Sequence, residues 1–144
     1  MNKKYRDYIN ELKTKKIAII GLGVSNLPLI KILINEGCDV TLFDSKELEN
    51  MEESTSKYII DYNIKTSLGA NYLEKLVGFD LIFRSPSMLP TNHYLMEEAK
   101  RGAVITTEIE QVINLSPSKI IGITGSNGKT TTTTILYNIL VGIG

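Results

Sequence analysis

The chain has 144 residues, 42% of them hydrophobic and 22% charged, with 11 glycines and 4 prolines; these ordinary proportions exclude disorder and collagen-like repeats and point to about one globular domain. Sixteen basic residues balance sixteen acidic ones, ten of each sign in residues 1–72 and six of each in residues 73–144, which excludes a strongly basic face that wraps nucleic acid. The single cysteine, Cys38, excludes an internal disulfide framework and suits a reducing cytoplasm, and no apolar run nears the ~20 residues that span a bilayer. Residues 4–14 place Tyr5, Tyr8, Ile9 and Leu12 near one face of a predicted helix. The next stretch, Lys16-Ile17-Ala18-Ile19-Ile20-Gly21, is apolar on both alternate faces, as in a strand covered on each side by helices. Gly21-Leu22-Gly23 then turns into a predicted helix over 25–36, where Leu27, Ile30, Leu33 and Ile34 recur at helical spacing and Gly37 stops the pattern.

The unit repeats. A strand over 40–43 ends at Asp44, a helix follows over 51–61, a strand over 64–67 and a short helix over 71–77. A strand over 80–83 ends at Arg84-Ser85-Pro86, a helix over 91–101 is closed by Gly102, and a strand over 103–105 leads to a helix over 108–114. Five strands alternating with helices predict an α/β fold, a Rossmann-like parallel sheet with right-handed crossovers. Ser116-Pro117-Ser118 reads as a linker between a domain of residues 1–115 and a second, truncated unit of residues 119–144. That unit is expected to open with a strand over 119–123, followed by a phosphate-binding loop (P-loop) and a helix. An unpaired apolar strand is an association site, so residues 119–144 are expected to pack on the first domain or on a second copy of the chain.

Two glycine motifs carry the chemistry. Gly21 and Gly23 lie in a strand-to-helix turn, where glycine lets a ligand approach the backbone and the helix N-terminus favours anions. Asp44 ends the next strand, 23 residues after Gly21, where a dinucleotide fold binds a ribose hydroxyl. The third glycine of G-x-G-x-x-G is replaced by Asn26, so an NAD(P)-binding regulatory domain stands as the alternative function, with a ligand-free tight turn as the plainer one. The stronger motif is Gly125-Ser126-Asn127-Gly128-Lys129-Thr130. Amides of a glycine loop ring phosphate oxygens, lysine neutralises the β and γ phosphates, and the threonine hydroxyl ligates Mg2+. Lys129 is therefore the candidate catalytic residue, with Thr130 as the metal ligand. The usual spacing needs glycine at 123, where Ile123 stands between Gly122 and Gly125, so the loop is a variant.

These residues together resemble the Mur ligase family, and within it the branch that adds D-glutamate to UDP-MurNAc-L-alanine. The resemblance rests on Ile19-Ile20-Gly21-Leu22-Gly23-Val24-Ser25, Asp44-Ser45-Lys46, Arg84-Ser85-Pro86-Ser87, Glu108-Ile109-Glu110 and Thr124 to Thr131. It covers essentially the whole chain but only the first third of such an enzyme. It implies a cytoplasmic, three-domain, ATP- and Mg2+-dependent ligase of peptidoglycan synthesis. ATP would phosphorylate the substrate carboxylate, and the amine of D-glutamate would displace phosphate. By the match, Gly23, Val24 and Ser25 lie near the uridine, Asp44, Ser45 and Lys46 hold the uracil, and Ser85, Pro86 and Ser87 approach the sugar and diphosphate. Gly125, Ser126, Asn127, Gly128, Lys129, Thr130 and Thr131 would cradle ATP. Asn26 and Ser87 depart from the family pattern, and each adds a side chain near the ligand path. With two-thirds of the enzyme absent, these 144 residues are expected to bind the UDP moiety without catalysis.

The remaining chemistry-bearing residues read more plainly. Cys38 is expected as a small buried hydrophobe and His93 as a solvent-facing residue at a helix start. Arg84 ends a strand where ligands gather, as a diphosphate contact or a surface ion pair. Glu47, Glu49, Glu52 and Glu53 read as solvated surface. Tyr5, Tyr8, Tyr58, Tyr62 and Tyr72 read as half-buried packing rather than a stacking platform, because no basic patch accompanies them.

Overall fold

A computed structural model describes residues 3–23 and 26–143. The elements run α1 (Lys3–Leu12), β1 (Lys16–Ile20), α2 (Leu27–Asn35), β2 (Asp39–Asp44), α3 (Glu53–Asp61), β3 (Lys65–Leu68), β4 (Leu81–Phe83), α4 (His93–Arg101), β5 (Val104–Thr106), α5 (Glu108–Leu115) and α6 (Lys129–Ile143). The strands form one five-stranded sheet in the order β3-β2-β1-β4-β5, with every pair parallel. The predicted doubly wound fold is thus the observed one.

The pleat of β1 explains the two-sided burial. Ile17 and Ile19 enter one core with Ile30, Leu33, Val40, Leu42 and Phe83. Ala18 and Ile20 point the other way, into a core with Phe43, Ile82, Leu76 and Leu95. Alternate residues of a strand face opposite sides, so a strand between two helical layers is apolar on both faces, as Ile17 to Ile20 are. Ile9 and Leu12 of α1 join the first core, as the spacing of that helix predicts. Cys38 is buried there, and burial pushes its thiol pKa up.

The helix ends are held by short-range chemistry. Asn92 caps α4 by accepting from the Tyr94 amide at 3.0 Å. Thr107 and Glu110 form a reciprocal capping box at the start of α5. Glu98 of α4 is fully buried, yet its carboxylate accepts from the amides of Gly78 (2.8 Å) and Phe79 (3.3 Å) and pairs with Arg101. A buried charge needs such partners, and here they tie α4 to the turn that launches β4. His93 is solvent-facing and pairs with Glu97 one turn on, at 3.4 Å.

Three expectations are corrected. The helix over 71–77 shrinks to a single 3-10 turn over Tyr72–Lys75, and another such turn, Leu48–Asn50, fills a stretch between the predicted strand and helix. Residues 119–123 form no strand. A strand exists through its ladder, and no described neighbour pairs with this segment, which leaves Ile120 and Ile121 exposed. The tail does not pack on the first domain either. The helix α6 buries no residue, and Ile135, Tyr137, Ile139 and Leu140 are each more than half exposed. Among the described residues no helix is long and apolar enough to cross a membrane.

Candidate functional site

The strand order reverses between β1 and β4, and a cleft of about 950 Å³ opens there, at the carboxyl ends of the strands. Ligands in open α/β sheets bind at such a switch point. The floor is Ile20, Gly21, Leu22 and Gly23; one wall is Asp44, Ser45 and Lys46; the opposite wall is Ser85, Ser87, Met88 and Leu89.

Gly21 is required twice over. Its φ is +88°, and a Cβ added there would sit 3.1 Å from the Cβ of Ser85. Its amide donates to the Phe43 carbonyl at 2.7 Å, so the loop leaves the sheet in a defined direction. Asp44 then joins two loops. One carboxylate oxygen accepts from the Leu22 amide at 2.7 Å, and the other accepts from the Lys46 amide at 2.9 Å. Ser85 and Ser87 face each other with hydroxyls 2.8 Å apart. Pro86 shares their loop but is exposed and does not line the cleft. Val24 and Ser25 lie outside the described residues.

Two residues do something other than the sequence reading expected. Asn26 is 3% exposed, and its side-chain amide donates to the carbonyls of Ile20 (3.1 Å) and Gly21 (2.8 Å). It is therefore a latch between the end of β1 and the start of α2, not a side chain in the ligand path. Arg84 makes neither a surface ion pair nor an opening onto the cleft. Its guanidinium donates to the carbonyls of Met88 (2.9 Å) and, weakly, Ser85 (3.5 Å), and so braces the wall from behind.

The cleft also recruits residues that motif reading missed. Met51, Thr55 and Tyr72 close its end beside Asp44, while Thr91 and Asn92 extend the far end; Glu52, read as plain solvated surface, also lines it. Thr55 had one signal in the sequence. It shares the buried face of α3 with Ile59, four residues on, and a polar residue on an apolar stripe has a reason to be there. Burial, and after it the charge of Asp44, pushes the Tyr72 phenol pKa up.

The second glycine loop opens α6. Gly128 has φ +77°, and Lys129 and Thr130 are the first two residues of the helix. The Lys129 ammonium donates to the Gly125 carbonyl at 2.6 Å, so it reaches across the mouth of its own loop. Thr133 and Thr134 donate to the carbonyls of Lys129 and Thr130 at 2.8 and 2.9 Å. Such back-bonding accommodates threonine hydroxyls in a helix. A positive loop at a helix N-terminus, with a lysine swung over it, fits a triphosphate. The Thr130 hydroxyl is a hard oxygen suited to Mg2+, and among the described residues no cluster of three or more His, Cys, Asp or Glu adds to it.

The model of the Mur ligase MurD-like N-terminal domain matches residues 15–107, from the start of β1 to the cap of α5. The chain belongs to that family. A UDP-N-acetylmuramoylalanine–D-glutamate ligase of Clostridium novyi (strain NT) is 44% identical over 144 residues, covering 98% of this chain and 31% of that protein. The ligase of the same name from Clostridium tetani is 46% identical over 140 residues, 97% of this chain and 30% of that one. Among solved structures, a pseudomurein peptide ligase type C from Methanothermus fervidus matches with a TM-score of 0.53 and 31% identity, over 90% of this chain and 26% of that one. This MurD-like chain thus spans about 30% of the length of the curated relatives it matches. Membership of a ligase family, with Asn26 in place of the third glycine, disfavours the NAD(P) alternative.

Proposed function

We propose that this MurD-like chain is the nucleotide-substrate portion, with the first ATP-binding loop, of a ligase that joins D-glutamate to UDP-MurNAc-L-alanine in peptidoglycan-precursor synthesis. The observation that carries the reading is the cleft at the switch point, lined by Gly21, Gly23, Asp44, Ser45, Lys46, Ser85 and Ser87. Its volume of about 950 Å³ lies at the large end of small-molecule sites, as a nucleotide-sugar requires. In this reading residues 1–115 hold the UDP moiety, residues 116–118 link, and residues 119–144 begin the ATP-binding domain. The Gly23 amide and the wall hydroxyls of Ser85 and Ser87 receive the diphosphate and sugar, and the family match assigns Val24 and Ser25 to the uridine. Asp44 fixes the direction of the loop amides, and Ser45 and Lys46 flank the base.

Residues 125–131 hold the triphosphate and Thr130 contributes to Mg2+. ATP, when bound, supplies the phosphoryl group that activates the substrate carboxylate. Lys129, released from the Gly125 carbonyl, would hold the phosphate charge. Turnover belongs to the longer protein in its cytoplasmic setting, and this chain binds without catalysis. The exposed apolar side chains of α6 support association of isolated copies through residues 119–144, read by the elution volume of the chain against that of residues 1–115.

Calorimetric titration tests the central reading. UDP-MurNAc-L-alanine binds the chain and loses affinity in Asp44→Ala, while NAD+ does not bind. Binding of NAD+ alone reverses the assignment. Phosphate release above background from ATP, UDP-MurNAc-L-alanine and D-glutamate refutes the claim that the chain alone is inactive.

A further inference from the structure

One motif of the family resemblance, Glu108-Ile109-Glu110, has no part in lining the cleft. Glu110 nevertheless does more than cap a helix. A capping box needs one bond from its glutamate back to the cap amide, and Glu110 makes it, accepting from the Thr107 amide at 2.8 Å. The same oxygen, Oε2, also accepts from the Thr106 hydroxyl at 2.9 Å. Thr106 is the buried last residue of β5. Its hydroxyl accepts in turn from the Gln111 side-chain amide at 2.9 Å, and its carbonyl accepts from the Arg84 amide at 2.9 Å. Two side chains of α5 therefore grip the end of β5 at the point where the chain leaves β4 for the cleft.

Arg84 carries the line onward. Its backbone is set by Thr106, and its guanidinium crosses the next turn to the Met88 carbonyl at 2.9 Å. The Met88 amide closes that turn on the Ser85 carbonyl at 3.0 Å. The turn of residues 85–88 is thus stapled at its base. On its other side Ser85 and Ser87, their hydroxyls 2.8 Å apart, line the cleft. From the Glu110 carboxylate to the wall, each step is a hydrogen bond or a covalent turn. A binding group keeps its contact only if its own support is held to a fraction of an ångström, which is the work of residues behind it.

We propose that Glu110 is a positioning residue for the cleft: by holding Thr106 it fixes Arg84 and the turn of residues 85–88, and so sets where the Ser85 and Ser87 hydroxyls meet the sugar-diphosphate part of a ligand. The proposal rests on the nucleotide-sugar reading of the same cleft. Glu110 does not line the cleft and touches no ligand; it acts through Thr106 and Arg84.

The test uses the 144-residue chain, titrated with UDP-MurNAc-L-alanine and with UMP. Heteronuclear NMR follows the backbone amides of Gly23, Ser85 and Ser87, so that binding at the second glycine loop is not counted. Glu110→Ala is expected to shift the Ser85 and Ser87 amides in the free chain and to weaken UDP-MurNAc-L-alanine about fivefold, the equivalent of one hydrogen bond. Thr106→Val breaks the same link with shape preserved and does the same. The double variant stays within about twofold of either single one, as two breaks in one line must. UMP, which lacks the sugar and the second phosphate, stays within about twofold of the parent in each. Glu110→Gln keeps an oxygen for both donors and binds within about twofold of the parent. Thr107→Ala removes the other arm of the box and lowers the melting temperature as Glu110→Ala does, yet leaves the affinity within about twofold. The proposal is overturned if Glu110→Ala binds UDP-MurNAc-L-alanine within about twofold of the parent, if Thr107→Ala weakens it as much, or if UMP loses as much as the sugar-nucleotide. A parent chain whose cleft amides respond to neither ligand overturns the nucleotide-sugar reading instead, and the free-chain shifts of Ser85 and Ser87 still decide whether Glu110 holds the wall.

Discussion

The chain contains two copies of one local pattern, an apolar run that ends in a glycine turn and opens a helix, and the two copies have different fates. The first, residues 16–36, becomes the central strand of the sheet. Lys16–Ile20 pairs with β2 on one side and β4 on the other, and Gly21 still donates to Phe43. The second, residues 119–143, keeps its glycine turn and its helix but forms no strand. The difference lies in what surrounds each copy. A helix closes its hydrogen bonds within itself, so α6 forms even though none of its residues is buried. A strand closes its bonds only with neighbours, and residues 119–123 have none among those described. Turn and helix are thus local properties of this sequence, and the strand is not.

The strongest way to break that comparison is to remove an apolar side chain from each copy's surroundings. Phe83, fully buried beside β1, is expected to cost about 3–5 kcal/mol on truncation to alanine, measured by urea unfolding. A loss below about 1 kcal/mol would mean that the sheet does not depend on its packing as described. Next comes Gly21→Ala, which forces a side chain into a φ of +88° and against Ser85. About 2 kcal/mol of destabilisation is expected from the left-handed backbone and the contact together, with a weakened response of the cleft amides to UDP.

The fold of residues 3–115 was legible because each element announces itself by period. The β-branched run of β1, the three- and four-residue spacing of α2 and the threonine–glutamate box of α5 all operate over a few residues. The site was half legible. Gly21, Gly23, Asp44, Ser45, Lys46, Ser85 and Ser87 converge on one cleft, as expected from strand ends at a switch point. Thr55, Met51 and Tyr72 were not read as site residues, because what brings them to the cleft is the packing of α3 and the turn after β3 on the sheet. The latch role of Asn26 was invisible for a related reason: its partners are carbonyls, which have no identity in the sequence.

That latch gives a sharper test of the first glycine loop. Asn26→Gly restores the dinucleotide pattern on paper but removes two hydrogen bonds to the Ile20 and Gly21 carbonyls. A loss of about 1–3 kcal/mol is expected, and a stabilised variant would show that the third glycine is what this turn wants. A smaller effect concerns acid. Hydrogen bonds from Thr106 first, then Thr107, hold the Glu110 carboxyl below its ordinary pKa of 4.5. The folded-state pKa is depressed, so the stabilisation is present above the ordinary value and is lost as pH falls through the lowered one. Glu110→Gln is expected to flatten the fall in melting temperature on acidification below about pH 4.5; an unchanged slope refutes the cap's role. The smallest effect completes the comparison. Ile139→Ala, at a side chain 51% exposed on α6, is expected to stay within about 0.5 kcal/mol of the parent, an order below its counterpart in the sheet.

The bracing of the cleft by Asp44 has a consequence for sequence drift. Its two carboxylate oxygens are bonded by the main-chain amides of residues 22 and 46, not by their side chains. Any residue except proline supplies the same amide. Lysine at position 46 can therefore be exchanged for another residue while the shape of its loop persists, whereas Leu22 also packs against the first core. The cleft can change the surface it presents to a ligand, one substitution at a time, without redrawing its own outline.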